Sequence, residues 1–360
     1  MKAADPQPPR TTPTELAAAP STAVLDATGV VRRPVVLVDL DRPAPGDVVA
    51  AAADAAAAGD RVLVGVATAA PDPALAALVA ALDVSVVASG SPDDRATVPV
   101  ADPAAEAAAL AAAVTANPGA ALVLAGLLRT TGALPVPAAL DAESLAYSTL
   151  LGGPEFRRWL TRRGPRPLPP PASTEPVLLD RHDDVLRLTL NRPGRRNAYG
   201  REVRDALVAA LQLADLDDTV ARVILTGAGP AFCAGGDLDE FGTAPDPVTA
   251  HFVRTRAGAA RLLHRLRDRV EVRVHGACVG AGIELPAFAG RIVAAPDATF
   301  RLPEIAMGLI PGAGGTVSIP RRIGRWRTLH LALSGRALPA ATARAWGLVD
   351  WTDRARAAQS

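Results

Sequence analysis

The chain has 360 residues, long enough for two domains that each bury a core. Its formal net charge of +1 excludes field-driven attraction to nucleic acid or to a membrane surface. Aromatic residues make up only 3%, which leaves few platforms for stacking sugars. Lys2 is the only lysine, a compositional bias shared with the abundant alanine and proline rather than a functional signal. The two cysteines, Cys233 and Cys278, each lie in a glycine-rich loop without the spacing of a zinc or redox motif, so no metal site is expected and a reduced, cytoplasmic setting follows.

Residues 1–33 are rich in proline, threonine and alanine. Their apolar residues are too scattered for a signal-peptide core, and the stretch reads as a flexible lead-in. From 34 the pattern alternates short apolar strands (35–40, 61–66, 84–88) with alanine-rich helices (47–58, closed by Gly59; 73–82; 103–115). Such alternation predicts a mostly parallel sheet with helices packed on it. The uncharged run 107–128 has membrane-spanning length, but Asn117-Pro118-Gly119 breaks it and alanine contributes little insertion energy. It reads as helix, turn and an extended segment at 121–127. No phosphate loop, metal cluster or nucleophile elbow is visible in this half.

Residues 138–163 read as helix, Gly152-Gly153 break, helix, with Phe156 and Trp159 on one face and arginines on the other, a face made for packing or docking. The N-terminal α/β domain is therefore expected over 34–163. Residues 164–176, opening Gly-Pro-Arg-Pro-Leu-Pro-Pro-Pro, should form a semi-rigid extended linker to a second domain over 177–360.

That domain starts with a strand at 185–190, a polar turn Gly194-Arg195-Arg196-Asn197-Ala198, an amphipathic helix at about 201–214 and a strand at 222–226. The strand enters a glycine-rich loop ending Ala234-Gly235-Gly236-Asp237-Leu238. A dinucleotide fingerprint is not met there, because the third glycine is missing. A further strand, 270–275, leads into Gly276, Gly280 and Gly282 and then a short helix near Ile283. Backbone N–H groups at such a bend face a cleft and suit an anion or a developing oxyanion. Glu284 lies in the first turn of that helix, and Glu304 follows a strand at 291–295 and Leu302-Pro303. Taken singly, the bend is ordinary architecture and Glu284 a partner for the helix dipole. Together, two glutamates flanking an oxyanion site make an acid/base pair in which mutual repulsion favours one shared proton.

Residues 177–350 resemble the enoyl-CoA hydratase/isomerase, or crotonase, superfamily. The likeness is carried by LTLNRPGRRNA, PAFCAGGDL, GACVGAGIEL, FRLPEIAMGLIPGAGG and SGRALPAATARAWGLVD, in the family's order. It implies a spiral of ββα units, an acyl-CoA thioester held between two loops, and an oxyanion hole made of the backbone N–H groups of Gly236 and Ala281. It also implies acid/base roles for Glu284 and Glu304 in adding water to a 2-enoyl-CoA. Coenzyme A contacts are implied for Arg195 or Arg196 with the phosphates and for Ala198, Ala234, Gly235, Asp237 and Leu238, with Gly280, Gly282 and Pro303 shaping the substrate site. Coenzyme A would enter as part of the substrate, with no separate cofactor. Family members usually continue past the Gly-Leu-Val-Asp segment through helices that close the acyl pocket and help to build trimers, and the 177–360 domain is expected to lack those helices; the resemblance itself implies a homo-oligomer, trimer or hexamer.

Ordinary members lack the N-terminal half. Its VVLVDLDRP (35–43) aligns with VLRLTLNRP (185–193), which suggests a degenerate copy of the same fold without counterparts of Gly236, Glu284 or Glu304. The main competing activity is isomerisation or other enolate chemistry on an acyl-CoA. A non-catalytic acyl-CoA-binding protein would not need both acids. A dinucleotide site with Asp297 as the ribose acid leaves PAFCAGGDL unexplained, and glycoside hydrolysis lacks its aromatic platforms.

Overall fold

In a computed structural model, residues 8–18 and 23–353 are described. They form two compact units. One comprises the described residues up to Arg129 together with Gly324–Ser334; the other comprises Thr130–Ile323 and the described residues from Gly335.

The first unit is built on a five-stranded sheet, β1 (Arg10–Thr11), β2 (Val35–Asp39), β3 (Val62–Ala67), β4 (Val84–Val87) and β5 (Thr97–Pro99), in that spatial order and parallel throughout. Its helices are α1 (Pro13–Ala18), α2 (Gly46–Ala58), α3 (Ala76–Ala81), α4 (Pro103–Ala116) and α5 (Pro118–Thr131), the last running two residues into the second unit. The valine-rich strands are buried on both faces, as parallel strands covered by helices must be. Val38, Val49, Ala52, Ala56, Leu75, Leu78 and Leu82 meet in one core cluster. Part of the expected lead-in is thus structured as β1 and α1, while 1–7 and 19–22 lie outside the described residues.

Residues 121–127, expected to be extended, are helical within α5. Pro118 opens the helix at its first position, and Ala121, Leu124, Ala125 and Leu128 are buried at i, i+3, i+4 and i+7. A short apolar run cannot distinguish strand from helix until its buried face is known. Among the described residues no single helix is long and apolar enough to cross a membrane.

The second unit opens with α6 (Val136–Leu151) and α7 (Pro154–Arg163), so the segment expected in the first domain lies in this one. The proline-rich stretch lies within the same unit. Ala172 N–H donates to Glu202 and Arg192 to the Pro170 carbonyl, so a composition typical of linkers is fastened down by hydrogen bonds. Then follow β6 (Val177–His182), β7 (Val185–Leu190), α8 (Arg201–Leu216), β8 (Arg222–Gly227), α9 (Pro247–Arg256), α10 (Ala260–Arg265), β9 (Val270–Val274), β10 (Ala277–Val279) and α11 (Ala281–Glu284). The chain ends through β11 (Arg291–Ala294), β12 (Thr299–Arg301), α12 (Gly315–Ser334), β13 (Leu338–Pro339), α13 (Ala340–Trp346) and β14 (Trp351–Thr352).

Six of these strands make one sheet in the order β14-β11-β9-β8-β7-β6, parallel except for the β6/β7 hairpin. A second sheet has the order β10-β12-β13. From β9 onward the chain places one strand in each sheet per turn, β9 then β10 and β11 then β12. An isolated parallel bridge between Cys233 and Cys278 ties the loop after β8 to the second sheet. Helix α12 is interrupted at Gly324, which has φ +82°, and its two halves fall in different units.

Candidate active site

The polar turn after β7 is organised by Asn197, a fully buried residue in the left-handed region (φ 54°). Its amide donates to the carbonyls of Ala228, Ala231 and Phe232, and its oxygen accepts from Arg192 N–H. One side chain thereby fastens the turn to the glycine-rich loop after β8. Tyr199 N–H donates to the Gly235 carbonyl and Ala234 N–H to the Arg196 carbonyl, which leaves Gly236 at the loop's inner edge.

The bend between β10 and α11 lies against that loop. Val279 N–H donates to the Cys233 carbonyl, and a Cβ on Gly282 would overlap the same carbonyl. Gly280 has φ +49°, and a Cβ there would sit 2.6 Å from Glu304 Oε1 and 3.5 Å from Glu284 Oε1. The site therefore demands glycine at 280 on two counts, and both carboxyl groups converge there. The N–H groups of Gly236 and Ala281 make no hydrogen bond among the described residues, and both residues line one cavity of about 260 Å³ with Glu284 and Glu304.

Much of the remaining wall comes from α6, with Leu140, Glu143 and Tyr147, and from α9 with Arg254, while α7 packs on the neighbouring turns. Tyr147 stands over Gly312 and Glu155 over Gly308, each where a Cβ would collide, and Leu140 lies close to Gly314, where a Cβ would collide with Phe288. The lack of side chains in that glycine-rich segment lets the helices close down. Phe156 is 2% exposed and stacks on Trp159 at 5.8 Å, and Trp159 tilts against Phe241 at 6.0 Å. Arg163 pairs with Asp239 at 2.6 Å. Helix α6 is held to α9 by Arg254, which donates to the Ser144 hydroxyl and carbonyl and to Ser148, and whose guanidinium lies 4.4 Å from the Tyr147 ring centre.

The same helix brings in a third carboxylate, Glu143, 2% exposed. Successive N–H groups at the start of α12 go alternately to two glutamates. Ala313 and Gly315 donate to Glu284 Oε2 at 2.7 and 3.0 Å, while Gly314 and Thr316 donate to Glu143 at 2.7 and 2.9 Å. The Thr316 hydroxyl adds a bond to Glu143 at 2.7 Å. Glu304 has less help: its own N–H and the Arg301 charge favour its ionised form, but its Oε2 is buried without a hydrogen-bond partner. The three are not spaced to hold a metal ion, and among the described residues no other such group is.

Burial, and then the neighbouring charges of Glu304 and Glu143, push the Glu284 carboxyl well above its ordinary range against the pull of its two N–H donors. Burial raises Glu304 to about 8, with Glu143 adding to the rise. Burial also raises Glu143, but Thr316, Gly314 and the Arg254 charge hold it to about 7. Protons in such a cluster belong to the group of carboxyls rather than to one residue.

Of the residues singled out in the sequence, Gly236, Asp237, Ala281, Glu284 and Glu304 line the cavity. Gly235, Gly280, Gly282 and Pro303 support it from the flanking turns, and Ala198, Ala234 and Leu238 lie in the two loops behind. Arg195 does not extend freely toward a ligand. It donates to Asp237 at 2.7 and 3.0 Å and to Asp239 at 2.9 Å, a pairing that raises its pKa. Arg196 is exposed. Sequence reasoning missed Asn197, Glu143, Tyr147 and Arg254. Asn197 stood within a quoted motif, whereas the other three carry no local pattern that marks them.

The family model for enoyl-CoA hydratase/isomerase matches residues 180–356. The chain is 39% identical over 170 residues to a 1,2-epoxyphenylacetyl-CoA isomerase of Escherichia coli, covering 46% of this chain and 64% of the relative. It is 36% identical to a 2,3-dehydroadipyl-CoA hydratase of the same organism (48% and 67% covered), and 36% identical to a probable enoyl-CoA hydratase of Mycobacterium bovis (49% and 67%). It thus spans about two thirds of the length of the curated relatives it matches. A crystal structure of an enoyl-CoA hydratase from Mycobacterium smegmatis aligns over 51% of this chain and 71% of its own, with 33% identity and a TM-score of 0.47. In sequence, therefore, this chain belongs to the enoyl-CoA hydratase/isomerase family.

Proposed function

We propose that the protein adds water across the double bond of a 2-enoyl-CoA thioester. The observation that carries this reading is the convergence of the Glu284 and Glu304 carboxyls at Gly280, beside the two unused N–H groups of Gly236 and Ala281. When the proton shared by the pair rests on Glu304, Glu284, its Oε2 anchored by two N–H groups, takes a proton from water through Oε1. The hydroxyl bonds to the β carbon as the double-bond electrons move toward the thioester oxygen. That oxygen gains negative charge and accepts hydrogen bonds from Gly236 and Ala281, donors fixed before reaction. Glu304, whose Oε2 lacks any donor that would favour its charged form, gives its proton to the α carbon. Proton exchange then resets the pair.

Coenzyme A enters with the substrate. Because Arg195 is held by Asp237 and Asp239, its phosphates fall to Arg196. We further infer that the second unit is a spiral of ββα units, a reading supported by its alternation between two sheets, and that the first unit is a degenerate copy. Its consecutive parallel strand order supports that last inference.

A panel of 2-enoyl- and 3-enoyl-CoA thioesters, with products identified by mass, tests the activity. Water addition is expected, and Glu284→Gln and Glu304→Gln should each lower kcat by roughly two to four orders of magnitude. Undiminished turnover in either variant removes the paired-acid mechanism. Double-bond migration without hydration establishes the isomerase reading instead.

A further inference from the structure

We propose that Glu143, which lies outside the family-matched segment, is a positioning residue that fixes Glu284 through the turn they share and supplies a charge that holds a proton on the Glu284/Glu304 pair. The proposal rests on the hydratase reading for its catalytic meaning and on the hydrogen bonds for its geometry.

The first N–H groups of a helix have no partner inside it. At α12 four successive donors, from 313 to 316, go to Glu284, Glu143, Glu284 and Glu143 in turn. The Gly315 N–H that holds Glu284 is therefore flanked on both sides, and the Ala313 N–H on one, by N–H groups that Glu143 holds. Removing the Glu143 carboxylate would leave two buried N–H groups without acceptors, and the turn would rotate to find others. The Glu143 carboxylate is buried beside two further carboxyl groups, an arrangement that raises the energy of its ionised form.

The charges facing Glu143 decide how the cluster shares its protons. From α9 come Arg254 and, through Ser144, His251; from its own helix Tyr147; from α11 Glu284; from the turn after β12 Glu304. Thr316 adds a hydroxyl but no charge. Glu143 has three donors and a nearby guanidinium, whereas Glu304 has its own N–H and the Arg301 charge and an Oε2 with no partner, so Glu143 ionises before Glu304. Its charge then opposes ionisation of Glu284 and Glu304 alike, so that the pair keeps the one proton an acid partner needs.

Two variants of the full chain test this. In Glu143→Gln, kcat for a 2-enoyl-CoA should fall about a hundredfold with KM little changed, as a misplaced catalytic group would cause. The basic limb of its pH profile should move down by about one pH unit, because the charge is gone. In Thr316→Val the charge stays, so kcat should fall without a downward movement of that limb. Carboxyl titration by infrared difference spectroscopy reads the same proton order without turnover: deprotonation of the remaining pair should begin at lower pH in Glu143→Gln. Unchanged carboxyl titration together with coincident pH profiles overturns the proposal. If the wild type hydrates no enoyl-CoA, the catalytic reading fails by itself, and the infrared titration still decides the role of Glu143 in the cluster.

Discussion

Glu304 offers a direct measure of what the buried carboxyls do to stability. Its carboxyl is raised from an ordinary 4.5 to about 8, chiefly by burial. A group with a raised folded-state pKa contributes stability that is fully present below its unfolded value and is lost as pH rises through the folded one. A tenfold change in proton affinity is worth about 1.4 kcal/mol, so ionising Glu304 in place would cost the fold on the order of 5 kcal/mol at most. Sharing of protons with Glu284 and Glu143 spreads that loss, and a few kcal/mol is expected from Glu304 itself. Glu304→Gln keeps the shape and is neutral in both states. Urea melts of both proteins between about pH 5 and pH 9 should show the wild type losing stability relative to the variant as pH rises, mostly above about pH 6. Titrating groups outside this cluster cancel in the difference. Parallel curves over that range would mean that Glu304 is solvated and ionised in the native protein, which would refute its role as the proton donor.

Two further outcomes follow from the packing. Asn197→Ala should lower stability by about 2–4 kcal/mol, because three buried carbonyls and one N–H lose their partner, and it should raise KM by displacing the Gly236 loop; thermal unfolding and steady-state kinetics measure both, and an unaltered KM would detach the loop from substrate binding. Phe156→Ala should cost about 3–5 kcal/mol, and a fragment of residues 174–360, which lacks Leu140 and Phe156, should aggregate or lose activity; a soluble, fully active fragment by light scattering and turnover would show that α6 and α7 are dispensable.

Much of this was legible in the chain itself. Hydrophobic runs of strand length alternating with alanine-rich segments require parallel strands and covering helices, since each element has an apolar face to bury. The glycines of the 276–282 bend likewise report a backbone close to other atoms, and Gly280 proves to face both carboxyls. Local pattern was insufficient at 121–127, where a run of alanine and leucine suits either element and only the buried i, i+3, i+4, i+7 face makes it a helix. It misled at 164–176, because proline content describes a chain's stiffness and not whether its carbonyls find donors. Arg195 looked available for phosphate because sequence shows a cation and not the two aspartates that neutralise it. Glu143 was beyond reach for the same reason. It stands 141 positions before Glu284 with nothing around it to mark it, and it enters the site because α6 folds over Gly312 and Gly314 and sets its carboxylate against the opening turn of α12. Sequence determines which groups can ionise and which segments must be buried; the packing of distant segments decides which charges face one another, and so which of them hold a proton.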